Sequence, residues 1–74
     1  MEWPTFLGME ITLNGEKHHL GEPLSVVDLL RTLELDPEKV AVELDGRIVR
    51  VPDWGGVMVR EGAVVEVVQF VGGG

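Results

Sequence analysis

The sequence predicts an α+β domain: a mixed sheet of about five strands with one main helix packed across it. Three observations predict it. Two dipeptides of the kind that close tight hairpins, Asn14-Gly15 and Asp45-Gly46, each sit between apolar segments. A single stretch of helical periodicity lies between them, and a valine-rich run, Val64–Phe70, lies near the C-terminus.

The first hairpin is Ile11-Thr12-Leu13, then Asn14-Gly15, then Glu16 to Leu20. A type I′ turn needs positive φ at both central residues, which Asn-Gly tolerates better than most pairs. Gly21-Glu22-Pro23 connects it to the helix. Ser25-Val26-Val27-Asp28 reads as a capping box, with Ser25 Oγ accepting from the amide three residues on and Asp28 favourable in the first turn. Val26, Leu29, Leu30 and Leu33 recur at helical spacing, with Arg31, Thr32 and Glu34 on the other side. Asp36-Pro37 is the predicted stop, because a residue before proline is pushed out of the α region. The expected helix therefore has about three turns. Val40–Leu44, Asp45-Gly46 and Arg47–Val51 form the second predicted hairpin, Pro52–Gly56 an irregular turn, Glu61-Gly62 another turn, and Val64–Phe70 the last strand. The first and last strands pair in parallel through a right-handed crossover. That is the β-grasp arrangement, expected over residues 9–71, with 1–8 as an N-terminal extension and 72–74 as a flexible glycine tail.

Seventy-four residues make one domain. Its core is thin, since a chain of this size buries only about 60% of its unfolded surface, and a deep catalytic cleft is not expected. There is no cysteine, so disulfides, thiolate nucleophiles and cysteine metal sites are excluded. Met1–Gly8 is too short and acidic to be a signal peptide, and no apolar run approaches the ~20 residues that span a bilayer. A cytoplasmic location is expected. Thirteen acidic against six basic residues give a net charge of −7. Such a surface repels phosphate backbones and anionic lipid, which points away from nucleic acid and membrane and towards a protein partner with a basic face.

The chemistry concentrates at the tail. Gly72, Gly73 and Gly74 have no side chains to bury and lose much entropy if ordered, so they make a poor structural element. They do make a thin strand that can enter a narrow channel, carboxylate first, and Val71–Gly74 extended reaches about 14 Å. Both faces of the last strand are largely apolar, so part of it is expected to be exposed as a contact surface, Val68, Phe70 and Val71 included. Elsewhere the residues favour structure. His18 and His19 are neighbours on a strand, point to opposite faces and cannot chelate one ion. Glu34, Asp36 and Glu38 read as solvated, Ser25 as a cap without a partner base, and Trp54 as a core plug.

With the tail in place the chain resembles the ThiS family, the ubiquitin-like sulfur carriers of thiamine biosynthesis. The resemblance is carried by Ile11–Glu16, Ser25–Leu30, Val40–Val49, Pro52-Asp53-Trp54, Glu61-Gly62-Ala63 and Val71–Gly74. It runs from about Met9 to the end. Residues 1–8 precede the usual family start, and Asp45 stands where Asn is commoner. The resemblance implies a ubiquitin-like β-grasp and a protein cosubstrate rather than an enzyme. A ThiF-like adenylyltransferase would join the Gly74 carboxylate to AMP, with ATP and Mg²⁺ held by that partner and no cofactor by the carrier. A sulfur-donating desulfurase would supply a persulfide, leaving a thiocarboxylate on Gly74 that a ThiG-like thiazole synthase consumes. Gly72 and Gly73 would let the tail pass, while Val68, Phe70 and Val71 would contact partners. The neighbouring readings are a MoaD-like small subunit of molybdopterin synthase, or another sulfur carrier, and, of a different class, a β-grasp interaction module with an incidental tail.

Overall fold

The computed structural model describes residues 8–70. Eight elements follow in order: β1 (Met9–Leu13), β2 (Glu16–Leu20), β3 (Leu24–Ser25), α1 (Val26–Thr32), β4 (Val40–Leu44), β5 (Arg47–Val49), β6 (Met58–Val59) and β7 (Val64–Gln69). Short 3₁₀ turns occupy Pro37–Lys39 and Val51–Asp53. The main sheet has the order β2-β1-β7-β4-β5. Its β1–β7 pair is parallel and the others are antiparallel. One helix on a mixed five-stranded sheet is the β-grasp predicted above.

Both hairpins turn where expected. Asn14 and Gly15 have φ of 51° and 83°, and Asp45 and Gly46 have 50° and 85°, the left-handed pair of a type I′ turn. Register then follows from turn length, placing Leu13 opposite Glu16 and Leu44 opposite Arg47.

The helix begins as predicted. Ser25 is extended and its Oγ accepts from the Asp28 amide at 3.1 Å. The next free amides are also satisfied, Val26 N–H donating to Val57 O at 3.0 Å and Val27 N–H to Trp54 O at 3.1 Å. Val26, Leu29 and Leu30 are buried against Ile11, Val42 and Val65 of the sheet. Burying each such side chain is worth roughly 1.5–3 kcal/mol. Leu33 is only half-buried, because it caps the helix rather than continuing it.

The helix ends sooner than its predicted three turns. It spans seven residues and stops ahead of Asp36-Pro37. Glu34 adopts φ 58°, its amide donates to Arg31 O at 3.0 Å, and the Leu35 amide donates to Leu30 O at 3.0 Å. These two bonds are the Schellman closure, usually built on glycine. Asp36-Pro37 instead starts the first 3₁₀ turn, Asp36 Oδ1 accepting from the Glu38 amide at 2.9 Å. The second hairpin is likewise shorter than predicted, since Pro52 draws Val51–Asp53 into the other 3₁₀ turn. Trp54 follows it, 4% exposed, with Nε1 donating to Val49 O at 2.8 Å. It is the core plug expected. The pairing of β3 with β6, Leu24 opposite Val59 and Ser25 opposite Met58, was not predicted. It ties the entry of the helix to the segment after Trp54.

Candidate functional site

The site is built around β7, the middle strand of the sheet, from which the sequence runs on into Val71-Gly72-Gly73-Gly74. Alternate main-chain groups of β7 point to opposite neighbours. Towards β4, the Asp45 amide donates to Val64 O at 2.7 Å, and the Phe70 amide donates to Lys39 O at 2.7 Å. Towards β1, the Thr12 amide donates to Ala63 O at 2.9 Å and the Asn14 amide to Val65 O at 2.8 Å.

Two turn side chains extend these ladders. Asn14 Oδ1 accepts from the Val67 amide at 2.8 Å, and its Nδ2 donates to Val67 O at 3.3 Å. The carboxamide thus stands in for the next residue of β1, which has already turned away. Asp45 Oδ1 accepts from the Val64 amide at 2.8 Å. The Asn-Gly and Asp-Gly signatures mark both residues for backbone conformation. Their hold on β7 has no local signal, because it reaches across 53 and 19 residues of sequence.

The outer face of the sheet is partly apolar, as expected. Val68 is 57% exposed, and Val64 and Ile48 are exposed as well. Phe70 is also exposed. One residue past the strand, it lines an open hollow of about 640 Å³ with Val27, Pro37, Val40, Val51 and Trp54. Glu43 and Glu66 face each other across β4 and β7, and neither has an ion-pair partner among the described residues. Like charges directly opposed in a sheet repel, which favours a cation arriving from outside.

Of the predicted site residues, Val68 and Phe70 therefore lie exposed at the end of β7. Val71, Gly72, Gly73 and Gly74 lie outside the described residues. His18 is half-buried and His19 exposed, with His19 Nε2 3.5 Å from Glu10 Oε2. Glu34, Asp36 and Glu38 are all exposed. Among the described residues no helix is long and apolar enough to cross a membrane.

A helix gripped by a mixed sheet whose central strand leads into a glycine run defines a ubiquitin-like β-grasp domain. The solved structure of a thiamine biosynthesis protein (ThiS) from Geobacter metallireducens superposes with a TM-score of 0.79 at 35% identity, covering 89% of this chain and all of that one. The sequence model of the ThiS family matches residues 5–74. The chain belongs to the ThiS family. It is 42% identical over 66 residues to a thiazole synthase of Magnetococcus marinus, and 30% identical over 66 residues to the uncharacterized protein ycf40 of Porphyra purpurea. The chain spans 20% of that thiazole synthase and 93% of the algal protein.

Proposed function

We propose that this chain is a sulfur carrier of thiamine biosynthesis, with the Gly74 carboxylate as its working group. A carboxylate is a poor acceptor until one oxygen becomes a good leaving group. Attack of Gly74 on the α-phosphate of ATP, in a ThiF-like enzyme holding Mg²⁺, releases pyrophosphate and makes that mixed anhydride. A persulfide from a desulfurase displaces AMP, and thiol cleavage of the resulting acyl disulfide leaves a thiocarboxylate. The sulfur then passes to thiazole synthase. The carrier brings a substrate and the partners bring the catalysis.

The observation that supports this best is a family match that runs to Gly74, together with the exposed apolar residues Val68 and Phe70 at the end of the described chain. The thiazole synthase relative contains a region similar to 89% of this chain, which supports that enzyme as the recipient. Gly72 and Gly73 keep the tail narrow, while Val68 and Phe70 offer contact surface at its root. The opposed Glu43 and Glu66 suit a basic docking face.

Intact-mass measurement tests the reading. Incubation with the adenylating enzyme, ATP and a persulfide donor should raise the mass by the difference between sulfur and oxygen, localised to Gly74. Gly73→Val should fold normally and fail to load, because its side chain crowds the channel. An unchanged mass with an active partner, or a natural gene product that continues untrimmed past Gly74, would refute the assignment.

A further inference from the structure

We infer that this chain pairs with a second copy of itself through β2, the two strands adding antiparallel, rim to rim, with His18 on the two-fold axis. The inference stands apart from the carrier reading, since it uses no residue of the tail.

The bonds of β1 show which groups of β2 are free. Glu10 and Thr12 spend their main chain on the flank away from β2. The Thr12 amide donates to Ala63 O at 2.9 Å, Glu10 O accepts from the Gly62 amide at 2.8 Å, and the Glu10 amide donates to Glu61 Oε1 at 2.9 Å. Lys17 lies opposite Thr12 and His19 opposite Glu10. Opposed residues of an antiparallel pair alternate between bonded and non-bonded, and these two pairs are the non-bonded ones. The N–H and C=O of Lys17 and His19 therefore point out of the sheet, and among the described residues nothing meets them. β2 is the outermost strand on its side, and its five residues hold neither proline nor bulge. The opposite rim, β5, is three residues long and by the same alternation offers Ile48 alone. A free rim such as β2 is a template for another strand.

Charge selects the occupant and the register. Net charge −7 holds most of the surface of two copies apart, but β2 carries one acid, one base and two histidines. With His18 opposite itself, Lys17 of each copy stands opposite the partner's His19, and every outward group of both strands is bonded. Sliding one strand by two residues sets Lys17 against Lys17 or His19 against His19 and leaves some of those groups unbonded. Like charges directly opposed are destabilising. Lys17 and His19 share the outer face with Glu10, whose carboxylate lies 3.7 Å from Lys17 Nζ and 3.5 Å from His19 Nε2. Doubled across the axis, lysine and glutamate balance, so this patch complements its own copy where the rest of the chain does not. Because β7 is parallel to β1 and β1 antiparallel to β2, the two β7 strands end at opposite sides of the joined sheet. Each copy keeps its own access to a partner.

The chain has no cysteine, which permits a test of the register itself. A non-bonded antiparallel pair stands about 4.5 Å apart at Cα, inside the span of a disulfide. His18→Cys, treated with glutathione disulfide at micromolar protein, should form a covalent dimer. Glu16→Cys should not, since its counterpart lies four residues away along the partner strand, about 13 Å. The parent chain should sediment as a monomer below about 10 µM and gain mass above about 100 µM, because a rim contact is smaller than a standard interface. Lys17→Glu should weaken association at least tenfold. Glu10→Lys should do the same although it lowers the net charge, and the two together should restore it. Both side chains are exposed, so the unfolding temperature should change little. In hydrogen exchange the Lys17 and His19 amides should gain protection as concentration rises. A chain still monomeric at millimolar concentration, or equal cross-linking of the two cysteine variants, would overturn the inference. So would a dimer in which Lys17 and His19 still exchange freely, which places the contact elsewhere. Where His18→Cys fails to fold, the exchange measurement on the parent chain decides.

Discussion

Asn14 carries two tasks in one residue. Its backbone takes the left-handed conformation of the turn, and its carboxamide bonds the Val67 amide and carbonyl. The first task was legible in the Asn-Gly pair, which flags a hairpin wherever it occurs between apolar runs. The second was not, because it depends on which strand lies beside the turn in three dimensions. Asn14→Gly separates them: glycine keeps the turn at no steric cost and deletes the side-chain bonds, its greater freedom in the unfolded chain adding to the loss. Urea unfolding should show a loss of about 1 kcal/mol, the net worth of exposed hydrogen bonds of this kind. A change near zero would mean that water replaces the carboxamide without loss. Trp54 shows the opposite case. Its burial was legible from its position after a proline in an otherwise apolar chain, and its Nε1 bond to Val49 O adds what burial of an indole requires.

At the scale of elements, both hairpins and the helix start were readable because each depends on residues adjacent in sequence. The helix stop was not. Proline at position 37 is a strong breaker, yet the chain leaves the helix earlier, where Glu34 enters the left-handed region and closes a Schellman motif without glycine. No composition signal marks a glutamate for that role. A non-glycine residue there costs about 1–2 kcal/mol; glycine removes that cost, and its greater freedom in the unfolded chain offsets part of the gain. Glu34→Gly should therefore stabilise the protein by about 0.5–1 kcal/mol in urea or thermal unfolding. Destabilisation would show that the Glu34 side chain contributes something its exposure does not reveal. The β3–β6 ladder escaped the sequence reading for another reason. Each strand is two residues long, too short for any periodicity, and the partners are distant in the chain.

At the scale of the molecule, the outer face of the sheet combines charge with exposed apolar surface, Ile48 and Val68 flanking Glu43 and Glu66. Association with a basic partner should slow about tenfold or more as ionic strength rises from low to physiological, as electrostatic steering is screened. Stopped-flow measurement against added salt checks this, and a salt-independent rate would exclude steering. Val68→Asp should leave stability within about 0.5 kcal/mol of the parent, as expected at an exposed position. It should weaken partner binding by placing a third carboxylate beside the other two.

The strand that leads to the tail lies in the middle of the sheet rather than at its rim, and this has a mechanical consequence. Any pull on the C-terminus acts along the axis of β7, so the ladders to β1 and β4 and the bonds from Asn14 and Asp45 are loaded together in shear. They cannot open one at a time, as they would if an outer strand were peeled away. A larger protein can therefore draw the end of this chain into itself, and release it again, without unravelling the domain behind it.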